Sequence, residues 1–397
     1  MISQQNFTAE DQLCLLLARG HKQPGVEERA GTLLAAPLCW DTILRRLIGE
    51  GILPIFYRSL CRLGFQGVPA EVRSRLETHF KLNAVRNTLL EHELARILKA
   101  LSDAAVPAIP LKGVALAESL YGDTALRVCT DLDILVPPGS VARSLNVLLA
   151  NGYEGPIQGK ALVQVPLHNG GIEYSLTREQ DGFRYLLELH WGLLCGSRID
   201  EKATADLFRD SHPGAVFGAP THTLTFEWEF SFLVLHAAHH RWNQLKWLVD
   251  VHDACSMRPL DWEKVRLIAE RYGWTEIFEE ALSICNSLFD TVIPQGFSTR
   301  SVPANLLVRE DPSALDLHSA LFHMRSMKGT SDRVRYVLRR LCVPGVGDYL
   351  FLRLPSSLGL LYYLIRPFRL SWAWLLVPCF HWVRAKLVSE SRPEEVR

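Results

Sequence analysis

Asp131 and Asp133 stand two residues apart in DLDILV (131–136), a run that alternates in the manner of a β-strand. Residues two apart on a strand point to the same face, with Cα atoms about 6.5–7 Å apart. The two carboxylates therefore project together, while Leu132, Ile134 and Val136 can face a core. Adjacent carboxylates repel, and each raises the pKa of the other unless a cation sits between them. Mg2+ takes hard oxygen ligands, commonly one or two carboxylates plus the phosphates of a substrate. The pair fits a metal–triphosphate site, although an Asp-x-Asp on a strand also arises by chance.

A third carboxylate, Glu188 in YLLELHW (185–191), shares a strand face with Leu186 and His190, and Leu187 and Leu189 turn the other way. A carboxylate amid leucines is costly to bury without a partner. A metal ion or a substrate hydroxyl would supply one; a solvated edge-strand glutamate is the plainer alternative. If the Glu188 strand lies beside the Asp131 strand, the three carboxylates converge and could hold two ions about 3.5–4 Å apart. Upstream, Lys112-Gly113 closes a short apolar run (108–112) and opens a helix. Gly113 lets the backbone approach a phosphate, the helix N-terminus attracts anions, and Lys112 can add a point charge.

The elements that must position these groups can be read around them. Residues 1–105 read as helical; 71–102 contain neither glycine nor proline, with Leu90, Leu94, Ile97, Leu98 and Leu101 at helical spacing, and Val106-Pro107 ends the run. A short helix over 114–121 precedes the Asp-x-Asp strand. Pro137-Pro138-Gly139 stops that strand, and Ser140 can cap a helix to about Ala150. Further strands are expected near Ile172–Leu176 and Tyr185–Trp191. This segment of some 85 residues is the only one that reads as a sheet with crossing helices. From Pro220 the chain reads as helix again: 221–258, then about 262–289 and 313–342.

In that order the motifs resemble a known family. LKGVALAESLYGDTALRVCTDLDILV, followed by LLANGY, is similar to the uncharacterised nucleotidyltransferase family of bacteria, on Leu111-Lys112-Gly113, Tyr121, Arg127, Asp131 to Val136 and Gly152-Tyr153. ELHW (188–191) and HAAHHRWNQLKWLVD (236–250) also match it, and the resemblance spans about 40–300 and extends toward Pro367. It implies a polymerase-beta-like nucleotidyltransferase fold with Mg2+ on Asp131 and Asp133. Glu188 would be the third acidic position, a metal ligand or a base toward the acceptor. Better-known enzymes of that superfamily carry Gly-Ser or Gly-Gly at the phosphate turn, whereas Gly113 is followed here by Val114, so Lys112 is the residue expected to compensate. Arg127 could steady carboxylates or phosphates, or form a structural salt bridge.

A continuous helix over 226–255 would place His236, His239, His240, Asn243, Trp247 and Asp250 on one side. Such a stripe could line the cleft and touch base, ribose or acceptor, with His236 and His240 assigned to the nucleotide. Metal ligation by His236 and His240 at i and i+4, and plain structural hydrogen bonding, are the alternatives. Lys246, at the margin of the stripe, reads equally as a phosphate contact or a solvated lysine.

Composition bounds the rest. Of 397 residues 48% are hydrophobic, which is ample for a core, and 43 basic residues balance 43 acidic ones. A neutral chain lacks the broad positive field of a non-specific nucleic-acid binder, so no nucleic-acid partner is expected. Nine cysteines without a Cys-x-x-Cys pair argue against a disulfide framework and a zinc ribbon. With no secretory signal at MISQQNFTAED, the expectation is cytoplasmic. Leu370–Val383 (LSWAWLLVPCFHWV) is shorter than the roughly 20 residues a spanning helix needs. It reads as a packed helix pair, or as part of a peripheral membrane or protein contact over 356–386.

The expected fold class is α+β: a small mixed sheet as nucleotidyltransferase core, with helical flanks. The expected division is a helical region (1–105), the catalytic core (106–195), a helical domain lining the cleft (196–300) and a helical C-terminal region (301–397). The expected reaction is Mg2+-dependent transfer of a nucleoside monophosphate from an NTP, ATP by preference, to a hydroxyl of a small-molecule or protein acceptor. The alternative is an inactive nucleotide-binding or accessory protein of natural-product or polysaccharide assembly.

Overall fold

The structure, a computed structural model, describes residues 7–20, 25–155, 172–194, 198–302, 322–327, 329–352 and 354–371. Parts of three expectations lie outside them: 313–321 of a helix, 372–383 of the tryptophan-rich run, and 372–386 of the contact region.

Among its described residues the N-terminal flank holds five helices, α1 (Ala9–Leu17), α2 (Val26–Leu34), α3 (Trp40–Gly49), α4 (Leu53–Arg62) and α5 (Ala70–Asp103). The long α5 fastens the segment that leads into the candidate strand. Its Asn83 Nδ2 donates to the carbonyls of Ala125 (2.9 Å) and Arg127 (3.1 Å). Asn87 Nδ2 donates to those of Thr124 (2.5 Å) and Arg127 (2.8 Å). Further along α5, the buried Glu93 accepts from Tyr153 Oη (2.8 Å), Arg96 (2.7 Å) and Arg178 (3.0 Å). The Gly152-Tyr153 motif is thus an anchor between α5 and the sheet.

The sheet comprises β1 (Ile109–Pro110), β2 (Leu132–Leu135), β3 (Glu173–Gln180) and β4 (Phe183–His190), in the order β1-β2-β4-β3. β1 runs antiparallel to β2, β2 parallel to β4, and β3 antiparallel to β4. Between β1 and β2 lies α6 (Val114–Tyr121), and between β2 and β3 lies α7 (Val141–Ala150). Leu132, Ile134, Val136, Leu187 and Leu189 are buried, as the alternation required; Leu135, on the Asp133 face, is buried as well. Ser140, expected to cap α7, instead ends a 3-10 turn (Pro138–Ser140) and makes no side-chain cap.

The α8 helix (Arg198–Asp210) is followed by a second sheet, the hairpin β5 (His212–Val216) and β6 (Ala219–Thr223). Pro213, Gly214 and Pro220 weaken the strand pattern there, so the sequence alone carries no sign of this hairpin. Its two-residue turn is Phe217-Gly218, both at positive φ (49° and 76°), the turn geometry that suits strand twist. His222 N donates to Ala108 O at 2.9 Å, which docks the hairpin beside β1. The expectation of helix from 221 is corrected accordingly.

The helical layer then holds α9 (Phe226–His239), α10 (Leu245–Met257), α11 (Trp262–Tyr272) and α12 (Thr275–Phe289). The continuous helix expected over 226–255 is broken: Arg241 and Trp242 take positive φ (57° and 56°). No glycine or proline signals this break. Tertiary burial of Trp242, whose Nε1 donates to Glu280 at 3.3 Å, overrides helix propensity. Gly273, at φ 80°, divides the segment expected over 262–289.

A separate compact unit includes α13 (Thr330–Cys342), α14 (Val346–Phe351) and α15 (Tyr362–Ser371). Its fully buried Asp348 pairs with Arg366 (2.6 Å) and with Arg369. No helix among the described residues is long and apolar enough to cross a membrane. The fold is α+β, a small mixed sheet flanked by helices.

Candidate active site

The parallel pairing of β2 with β4 sets Asp133 directly against Glu188, and Leu135 against His190. Glu188 is therefore on a central strand, not an edge. His190 completes the cluster: its Nε2 lies 3.1 Å from Asp133 Oδ1 and 3.7 Å from Glu188 Oε2, and its Nδ1 lies 3.4 Å from Glu173 Oε2. Asp133, Glu188 and His190 each bring a ligand atom within 4.8 Å of the others, a candidate metal group among the described residues. His190 was absent from the expected site, although alternation placed it on the Glu188 face. Its signal was there to be used.

Asp131, just before β2, does not belong to that trio. Its Oδ2 faces Lys112 Nζ at 3.4 Å, and the same ammonium lies 3.2 Å from Asp133 Oδ1. Asp131 and Asp133 do project together, as alternation required, but a lysine bridges them. Lys112 thus sits on the carboxylates rather than free at the glycine turn. Leu111 N donates to Asp133 O at 3.1 Å, which holds Lys112 next to the strand it serves.

The electrostatics follow from these contacts. Burial works to lower the pKa of Lys112, but Asp133, Asp131 and Glu188 outweigh it and raise the value. Burial likewise opposes protonation of His190, yet hydrogen bonds to Asp133 and Glu188 raise it to about 9. The His190 hydrogen bond, helped by Lys112, outweighs burial at Glu188 and lowers its pKa. Four carboxylates (Asp131, Asp133, Glu173, Glu188) thus face two cations, Lys112 and a protonated His190. Asp133 Oδ2 is buried with no hydrogen-bond partner among the described residues. A buried carboxylate oxygen without a donor is expensive, and a cation is the natural remedy.

Gly113 has φ 70° and ψ −136°, a conformation open to glycine, and a Cβ there would stand 3.3 Å from Asp131 O. The turn keeps α6 and the start of β2 in close approach.

Arg127 is held elsewhere. Its buried guanidinium grips Asp250 of α10, with Nε at 3.1 and 3.0 Å from the two carboxylate oxygens and Nη2 at 2.9 Å from Oδ2. Tyr121 Oη adds bonds to Asp253 (3.1 Å) and Asp250 (3.4 Å). Of the readings open for Arg127, the geometry is that of a structural salt bridge; phosphate steadying would require breaking it.

The break between α9 and α10 dissolves the expected six-residue stripe. Asp250 goes to Arg127, and His239 Nδ1 lies 3.1 Å from His323 Nε2. His236, His240 and Trp247 remain together: the His236 ring is 4.7 Å from His240 and 5.3 Å from Trp247, and His240 stacks on Trp247 at 4.7 Å. Burial drives the pKa of His236 well down, with Lys112 and His240 adding to the effect. Burial also lowers His240 to about 4. His236 Nε2 is buried without a hydrogen-bond partner among the described residues. Neither histidine enters the candidate metal group.

A family model described as an uncharacterised nucleotidyltransferase matches residues 37–290, from α2–α3 to the end of α12. No curated protein and no solved structure matches the chain.

Proposed function

The chain belongs to the uncharacterised nucleotidyltransferase family, and from that premise we propose a Mg2+-dependent transfer of a nucleoside monophosphate from an NTP to an acceptor hydroxyl. The acceptor is a small molecule or a protein, and ATP is the nucleotide we favour. The observation that carries this reading is Asp133 Oδ2, a buried carboxylate oxygen with no donor among the described residues, beside Glu188. A cluster of carboxylate oxygens suits Mg2+.

Asp131, Asp133 and Glu188 would hold the metal, with His190 fixing the other oxygen of Asp133. Bound Mg2+ would supply charge neutralisation and polarisation of the α-phosphate. The glycine turn at Gly113 brings the backbone close to the phosphates. Lys112 balances the carboxylates while no phosphate is present and can follow the charge once one arrives. In the transfer, the acceptor oxygen bonds to the α-phosphorus and the bond to the β-phosphate oxygen breaks, with pyrophosphate leaving. The hydroxyl proton passes to a carboxylate, for which Glu188 is the candidate. Its lowered pKa suits a metal ligand better than a strong base. Catalysis of this kind rests on positioning and charge neutralisation.

Residues 106–195 are the proposed catalytic core, and 196–300 the helical region over the cleft. His236 and His240, kept neutral by burial, are proposed to meet the base or ribose. Exposed Leu360, Leu364 and Phe368 support a peripheral membrane or protein contact within 356–386. We place the protein in the cytoplasm.

The test is transfer of α-phosphate label from each NTP to a cell extract, with pyrophosphate release measured in parallel. Wild-type protein is expected to do both, and an Asp131→Asn, Asp133→Asn double variant neither. Transfer surviving in the double variant would remove these aspartates from the chemistry. Nucleotide binding without turnover would favour the accessory reading.

A further inference from the structure

The cations around the carboxylate cluster are not alike. Lys112 is bound to Asp131 and Asp133, Arg127 to Asp250, and His190 to Asp133. A triphosphate brings more negative charge than one divalent ion and Lys112 neutralise, so a further cation would help to hold it. Lys246, on the first turn of α10, has no carboxylate within ion-pair distance among the described residues. Its ammonium lies 5.7 Å from the centroid of the Trp247 ring.

The surroundings hold Lys246 in place. Glu50 takes up the start of α10: its Oε2 accepts from Leu245 N (3.0 Å), and its carbonyl accepts from Lys246 N (3.1 Å). The next residue is Gly51, at φ 68°, and a Cβ on it would stand 2.9 Å from Lys246 Cδ. The lysine stem therefore lies in a notch over Gly51, where a Cβ would push it aside. Burial lowers the pKa of Lys246, Arg127 lowers it further, and Asp131 and Asp250 act in the opposite sense. The side chain is thus half-buried, within electrostatic reach of Asp131, and among the described residues has no carboxylate paired to it. A solvated surface lysine needs neither notch nor burial.

We propose that Lys246, on the first turn of α10, binds the phosphate chain of the nucleoside triphosphate. This inference rests on the nucleotidyltransferase reading above. A single charge-assisted contact to phosphate is worth enough to change affinity about 10-fold or more.

The experiment is a calorimetric titration of full-length protein with ATP, CTP, GTP and UTP in Mg2+, repeated with the matching nucleoside monophosphates. Lys246→Met keeps the apolar stem in the notch and removes the charge; Lys246→Arg keeps the charge. If the proposal is right, Lys246→Met weakens the preferred triphosphate about 10-fold or more and changes the monophosphate far less. Lys246→Arg stays near wild type. Unchanged triphosphate affinity in a folded Lys246→Met protein, with wild type binding normally, overturns the proposal and leaves the enzyme reading standing. If wild type binds no NTP, the enzyme reading falls and this inference with it. Should Lys246→Met not fold, Lys246→Gln decides by the same comparison.

Discussion

Two polar regions lie close together in this molecule, and their basic groups are shifted in opposite directions. On the β2–β4 face, Lys112 and His190 are pushed toward the protonated form and Glu188 toward the ionised form. At the corner between α9 and α10, His236, His240 and Lys246 are all pushed toward the neutral form. Desolvation acts in both; the difference is the carboxylates. The sheet face gathers Asp131, Asp133 and Glu188 around Lys112 and His190, so those charges sustain one another, while burial raises the pKa of Glu173 against that trend. Among the described residues the corner has rings and a lysine, with no carboxylate in ion-pair contact with His236, His240 or Lys246. A face with surplus negative charge is made for a cation, and a corner with unpaired basic groups is made for an anionic or aromatic ligand. A metal-bound nucleotide is both.

The sharpest way to break this contrast is Asp133→Asn, which removes the charge on which the sheet face depends. Nucleotidyl transfer is expected to fall by roughly 10³-fold, measured as kcat/KM with labelled NTP, with little change in thermal midpoint. Arg127→Met asks the converse question of a pair assigned to the fold. It leaves Asp250 buried without its partner, and urea denaturation should show a loss of about 3–5 kcal/mol. Loss of NTP binding with stability intact would instead return Arg127 to the phosphates.

A smaller effect is expected for His190→Gln, which loosens the group that orients Asp133. Metal affinity should drop about 10- to 100-fold with the fold preserved. The smallest effects are in the pH dependence of stability, measured in chelator. Between pH 6.5 and about 4 the unfolded chain binds a proton at His240 that the folded chain refuses, so stability falls on acidification. Between pH 6.5 and about 9 the folded chain keeps a proton on His190 that the unfolded chain has lost, so stability falls as pH rises. His240→Phe should flatten the acid limb and His190→Gln the alkaline limb. Two variants with the same profile would erase the distinction between the regions.

How far the sequence discloses this arrangement depends on the range of the interaction. Asp131, Asp133 and Glu188 were visible because strand alternation is local, and β2 and β4 do lie side by side. The α5 helix was visible because nothing interrupts its apolar spacing. The partner of Lys112 was not visible, since the pairing with Asp131 and Asp133 crosses about 20 residues of intervening helix and turn. Arg127 has its partner 123 positions away. The split between α9 and α10 left no mark either, because buried Trp242, rather than glycine or proline, enforces it. Local periodicity located the acids; only the folded chain shows which cation each one meets.

The central claim is that the Asp133–Glu188 face takes a divalent cation, and Mn2+ binding followed by electron paramagnetic resonance tests it most directly. Mn2+ can stand in for Mg2+ among oxygen ligands. Wild-type protein should bind Mn2+ with a signal that Mg2+ displaces, and the folded Asp133→Asn, Glu188→Gln variant should leave the ion free. Equal binding by the two proteins would contradict the account.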